Sequence, residues 1–274
     1  MSAHTPQPDL GAIKQRQQAM WASGDYNEIG SRLLVISERL CESLDLHPGE
    51  QVLDVASGSG NAALAAARRF CNALGTDYVP ELLDRGRMRA EAEGLPVAFD
   101  VADAENLPYD DASFDVVTSV IGVMFAPDQQ RAAQEMLRVC RPGGKIGLAN
   151  WTPESFAGDL FRIVARHVPP PPGMTPPTVW GTEAGLKELL GDGVESMEIN
   201  RHTYSLRYWS VDHFIDFHRT YFGPIRTAYA NLDEAGQDRL TQDLTQRVLE
   251  RNRSGSDTVV ADSEYLEVVA VRAA

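Results

Sequence analysis

Val52-Leu53-Asp54-Val55-Ala56-Ser57-Gly58-Ser59-Gly60-Asn61-Ala62 is the stretch on which the fold turns. Apolar residues around a single acid read as a short buried strand. Two glycines follow, then the helix-forming run Ala62-Ala63-Leu64-Ala65-Ala66-Ala67-Arg68-Arg69. A strand, a glycine turn and a helix make a place where backbone approaches a nucleoside ligand closely.

Two ligand classes compete for that turn. Gly58-Ser59-Gly60-Asn61-Ala62-Ala63 fits the dinucleotide pattern G-x-G-x-x-G/A, which keeps a nicotinamide cofactor open. Asp54 points the other way. It stands on the strand itself, four residues before Gly58. A carboxylate there would repel a pyrophosphate presented to the helix N-terminus. S-adenosylmethionine (SAM) has no phosphate, and its sulfonium and ammonium both suit a nearby acid.

The pattern continues downstream. Ala73 to Asp77 reads as a second strand ending in an acid able to accept both ribose hydroxyls. Val97 to Ala104 contains a third strand and Asp103, and Phe114 to Val120 is a fourth. Gln130 to Val139 is helical, Arg141-Pro142-Gly143-Gly144 reads as a turn, and Lys145 to Trp151 as a fifth strand. Strands alternating with helices imply a parallel, doubly wound sheet with ligands at the strand C-terminal ends. Asp77, Asp103 and Ser119 all fall there.

Together these pieces resemble the class I SAM-dependent methyltransferases, in particular the branch of the ubiquinone and menaquinone biosynthesis methyltransferases. The matching segments are Leu53 to Gly60, Gly75 to Leu83, Asp103 to Pro108, Ser113 to Val117 and Leu137 to Gly144. The resemblance implies an α/β, seven-stranded, mostly parallel Rossmann-like sheet, with SAM as the methyl source and no metal. It implies that Asp54, Ala56, Ser57, Gly58 and Gly60 form the methionine side of the cofactor site. Asp77 would hold the ribose and Tyr78 the adenine face. Asp103 would accept from the adenine amine, with the Ala104 amide on a ring nitrogen and Ser119 beneath the cofactor. Ala56 replaces the family's usual glycine and reads as a variant whose methyl fits at negative φ.

Composition bounds the function. The chain has 274 residues, 43% of them hydrophobic, enough for one large α/β domain with additions or for two small domains. Its formal net charge of −14 argues against a nucleic-acid substrate, which needs a basic face. Cys41, Cys71 and Cys140 are too far apart for a C-x-x-C site and read as buried thiols of a reduced compartment. No targeting leader or membrane-length apolar run is evident, so the expected location is the cytoplasm, with a small-molecule acceptor, no membrane partner and a homodimer as the expected assembly.

Five segments follow from the pattern. Residues 1–44 form an N-terminal helical cap whose first eleven residues are irregular, and 45–151 form the cofactor core. Residues 152–209 hold a Pro-rich connector, a helix capped by Thr182 and a sixth strand. Residues 210–257 form a helical lid, and 258–274 the last strand. In the lid, Phe214, Phe217, His218 and Tyr221 share one helical face. With Tyr26, Met124 and Phe125 they are read as acceptor-site residues, His218 and Tyr221 being the candidate bases. His213 and His218 are five apart, a spacing that does not suit a shared metal. A nicotinamide oxidoreductase, or a protein that binds SAM without methylating, stays as an alternative.

Overall fold

The computed structural model describes residues 9–274. The expected irregular N-terminus falls mostly on residues 1–8, outside the described residues. Leu10 and Gly11 already lie in a helix, which Asp9 caps by accepting from the Ala12 amide. The N-terminal helices are α1 (Leu10–Ser23), α2 (Asn27–Gly30) and α3 (Leu34–Ser43), with a break between the first two at Gly24 and Asp25.

The core then alternates. β1 (Gln51–Val55) leads to α4 (Asn61–Arg68), β2 (Asn72–Asp77) to α5 (Pro80–Glu93), and β3 (Ala98–Val101) to β4 (Phe114–Val120). After α6 (Gln129–Val139) come β5 (Cys140–Trp151), α7 (Phe156–His167) and α8 (Glu183–Leu190). β6 (Val194–Tyr208), α9 (Val211–Tyr221), α10 (Gly223–Asn231), α11 (Glu234–Arg251) and β7 (Val259–Arg272) complete the chain. Thr182 caps α8 as expected, accepting from the Gly185 amide.

The seven strands form one sheet in the order β3-β2-β1-β4-β5-β7-β6. The first five pair in parallel, and β7 runs antiparallel between β5 and β6. The order reverses between β1 and β4, so their C-terminal ends part to leave a crevice. Val52, Leu53, Val55, Val116 and Val117 are buried, as parallel strands covered on both faces require.

One expectation needs correction. Residues 141–144 are not a free turn but an extruded part of β5. Cys140 pairs with Phe114 and Lys145 with Val116, so the intervening residues loop out of the ladder. Gly143 turns the loop with φ of +71°.

Two apolar cores flank the crevice. One lies under the sheet centre around Leu53, Met136, Leu148 and Trp180. The other joins the lid helices to α1 and α7 through Trp21, Phe156, Phe214 and Leu244.

Candidate active site

β1 ends in a loop of forced conformation. Ala56, Gly58 and Gly60 have φ of +52°, +53° and +80°. The Ala56 value corrects the expectation of negative φ. The chain must turn sharply there because β4 exits alongside: a Cβ on Gly122 would lie 2.3 Å from the Ala56 carbonyl oxygen. Gly60 serves packing, since a Cβ on it would meet the Phe99 ring at 2.7 Å. Arg89 of α5 steadies the loop from outside, donating to the Ser59 carbonyl and the Asn61 side chain, each at 2.7 Å.

Asp54 and Asp77 flank this loop, both buried. Asp54 accepts from the Ala63 amide at 3.0 Å and from the Thr118 hydroxyl at 3.1 Å. It therefore caps the N-terminus of α4 from the neighbouring strand, occupying an amide that a pyrophosphate would need. Burial pushes its carboxyl up to about 7, against those hydrogen bonds. Asp77 accepts from the Gly58 and Val79 amides, one on each oxygen and both at 2.9 Å. Burial raises it to about 6. Each carboxylate oxygen retains a lone pair for a ligand donor.

Asp103 ends the next loop, with one oxygen on the Glu105 amide. Its other oxygen meets Lys14 of α1 at 2.6 Å, and Lys14 also reaches Glu105 at 2.5 Å. Gln18 of the same helix donates to the Tyr78 carbonyl. The N-terminal helix thus lies across the cofactor end of the crevice.

Three cavities meet in the crevice. The largest, about 640 Å³, is walled by Ala56, Gly58, Asp77, Tyr78, Asp103 and Ala104. A second, about 420 Å³, reaches under the loop to Asp54 and Ser57. The third, about 480 Å³, opens on the lid side between Phe125, Trp151, Tyr208, His218 and Phe222. Tyr26 and Ile121 line all three and mark their junction. Ile121 holds φ of +53°, a costly conformation for a β-branched residue, at that junction.

These walls gather most of the residues singled out from the sequence, with corrections. Tyr26 and Phe125 line the lid-side cavity, as does His218. Phe214 and Phe217 do not line it; they pack into the lid core with Phe156 and Tyr208. Tyr221 ends α9 with its ring against Phe217 and its carbonyl against Gly24, away from the cavity walls. Met124 is fully buried beneath the sheet. Ser119 is also fully buried, donating to the Val55 carbonyl and accepting from the Val123 amide, so it ties β4 to β1. Lys14, Trp21, Ile121, Gly122 and Phe222 line the site without having been singled out. Trp21 had a usable signal, an aromatic near a helix end; Lys14 had none, because its partners lie 89 and 91 positions away.

The residues fit SAM. Two buried carboxylates stand at the loop, and the Ser57 hydroxyl on the cavity wall is buried without a partner among the described residues. Among the described residues no group of three or more His, Cys, Asp or Glu could hold a metal, and no helix is long and apolar enough to cross a membrane.

Known proteins resemble this chain in sequence and in fold. The methyltransferase domain family matches residues 53–148. An uncharacterised protein of Mycobacterium tuberculosis (strain H37Rv) is 36% identical over 98% of this chain and 99% of its own length. A demethylmenaquinone methyltransferase of Deinococcus radiodurans is 39% identical over 45% of this chain and 53% of its own. In fold, the YcgJ protein of Bacillus subtilis superposes with a TM-score of 0.60 at 18% identity, over 87% of this chain and 98% of its own. The chain belongs to the class I SAM-dependent methyltransferases.

Proposed function

We propose that this methyltransferase acts on a small, largely apolar metabolite held in the lid-side cavity. The observation that carries the reading is the shared wall at Tyr26 and Ile121, which an apolar cavity has in common with the cofactor cavities. A nucleophile seated there meets the cofactor side without crossing solvent.

SAM supplies an electrophilic methyl on a positively charged sulfur. The protein's part is to bind, orient and exclude water. Asp77 accepts from the ribose hydroxyls, and Asp103 and the Ala104 amide address the adenine beside Tyr78. Asp54 and Ser57 face the charged methionine end. Trp21, Tyr26, Phe125 and Phe222 pack edge-on or tilted against one another over the junction and keep water out. His218 is the side chain placed to receive a proton.

Incubation with methyl-labelled SAM and a dialysed and undialysed cell extract tests this reading. Label should enter a diffusible, extractable product, with S-adenosylhomocysteine formed in equal amount. Label confined to retained macromolecules would overturn the small-molecule assignment. SAM binding without S-adenosylhomocysteine formation from any extract would point to a protein that binds SAM and does not methylate.

A further inference from the structure

We propose that the lid-side cavity selects a neutral, flat acceptor bearing one weakly acidic hydroxyl, and that His218 Nε2 takes that proton as the oxygen is methylated. The inference rests on the methyltransferase reading above and deepens it to a substrate class.

The walls exclude ionic acceptors first. The lid-side cavity is built from Ile29, Leu33, Leu160 and Phe161 among other apolar groups, and among the described residues no Lys, Arg, Asp or Glu lines it. A carboxylate or phosphate would be desolvated there with no cation to meet it. An alkylammonium would be desolvated with no anion, beside a cofactor that is itself positive at sulfur. Both costs are large for an unpaired buried charge.

The walls also ask for a donor. His218 Nδ1 lies 2.9 Å from the Phe214 carbonyl oxygen, four residues earlier on α9. A carbonyl only accepts, so Nδ1 carries the proton and the neutral ring presents Nε2 as an acceptor. Packing fixes the ring, with Phe214 at 4.2 Å and Tyr208 at 5.4 Å between centroids. Nε2 has no hydrogen-bond partner among the described residues, and neither do the hydroxyls of Tyr26 and Tyr208, which line the same cavity. Nε2 is open to the cavity, and a ligand that covers it without bringing a donor would strip its water and leave it unpaired, at a cost. A phenol or enol does so while neutral, and its flat body suits walls made of aromatic rings.

The charge balance favours the same chemistry. The acceptor oxygen attacks the sulfonium methyl; the O–C bond forms as the S–C bond breaks, and the sulfur keeps that electron pair. The O–H bond breaks and its proton passes to Nε2. One cation, the sulfonium, is lost as another, the imidazolium, appears. Burial holds His218 down to about 4, which disfavours the imidazolium in the empty protein. Loss of the neighbouring positive charge in the same step removes an added repulsion. The proton then passes from Nε2 to solvent after the product leaves.

2-Naphthol is a suitable probe, with 2-naphthoate and 2-(aminomethyl)naphthalene as its anionic and cationic counterparts. Calorimetry on protein saturated with S-adenosylhomocysteine should show saturable binding of the naphthol and at least tenfold weaker binding of both ions. With SAM, 2-methoxynaphthalene should form. His218→Gln keeps an acceptor but no useful base; naphthol binding should stay within about threefold while turnover falls about a hundredfold or more. His218→Phe should weaken naphthol binding itself. Equal binding of either ion, no naphthol binding to wild type, or full turnover by His218→Gln overturns the proposal. A wild type that fails to bind SAM would instead overturn the methyltransferase reading, so the two failures are distinct.

Discussion

The two carboxylates beside the glycine loop make cofactor binding a titration. Burial sets Asp54 at about 7 and Asp77 at about 6, against an ordinary value of 3.8. Because both values are raised on folding, the stability they contribute is fully present below pH 3.8 and is lost as pH rises through about 6 and then about 7. A cationic ligand reverses the preference and favours the ionised forms. SAM should therefore bind about tenfold tighter at pH 8 than at pH 6 and release protons as it binds. Calorimetry in buffers of different ionisation enthalpy measures that release, and Asp54→Asn should remove most of it. An affinity flat with pH would mean that Asp54 does not sense the ligand. Ala56 gives a second prediction. Its left-handed φ costs an L residue about 1 kcal/mol, so Ala56→Gly should raise the melting temperature, less the entropy a glycine loses on folding. Gly122→Ala should do the reverse and weaken SAM binding, since its Cβ would collide with the Ala56 carbonyl. The departure at residue 56 was legible in the sequence. Its sign of φ was not, because residue 56 is crowded by Gly122, 66 positions further along the chain.

Helices α1 and α9 carry the contacts that sequence patterns conveyed least. The helical face of 211–221 was correct in phase, yet only His218 of its four members lines a cavity. A helix wedged between a core and a cavity buries a wide arc, and periodicity cannot divide that arc between the two. α1 was legible as a helix but not as a strap. Its Lys14 bridges Asp103 and Glu105, and its Trp21 packs on Tyr26, Phe125 and Phe222 at 5.0–5.9 Å. A cofactor entering beneath this helix must loosen the bridge. Partly exposed pairs of this kind are worth about 1 kcal/mol, so Lys14→Met should speed SAM dissociation about fivefold. Raised ionic strength should speed the wild type and leave the variant unchanged. Stopped-flow displacement of SAM reads both; a variant that releases SAM at the wild-type rate would show that α1 does not gate the site.

At the scale of the molecule, all seven strands were legible in outline, but the pairing that joins the last two to the first five was not. β1 to β5 alternate with helices and keep apolar cores, which the sequence displays openly. The last strand was expected within 258–274, but the polar run Ala261-Asp262-Ser263-Glu264 does not mark it as a central one. Those polar groups have partners on its neighbours: Asp262 meets Ser205 and Arg253, Glu264 meets Arg201, and Glu267 meets Ser43 and His202. The strand begins at Val259, as that segment requires, and is hydrogen-bonded on both sides, from Lys145↔Val271 to Trp151↔Tyr265 with β5 and from Val194↔Arg272 to Tyr208↔Val259 with β6. The last residues of the chain thus bridge the parallel half to β6 and to the lid attached to it. Every residue assigned to the cofactor precedes position 127, so a modular view predicts that a chain ending at Asp257 still binds SAM. The sheet order predicts the opposite. Removing β7 exposes the β5 edge, strips Leu266, Val268 and Ala270 from the central core, and leaves β6 with no partner. Such a chain should lose the cooperative unfolding transition and SAM binding together, whereas full-length protein should unfold in one transition that SAM shifts to higher temperature. Retained SAM affinity in the shortened chain would show that the first five strands fold and bind without it.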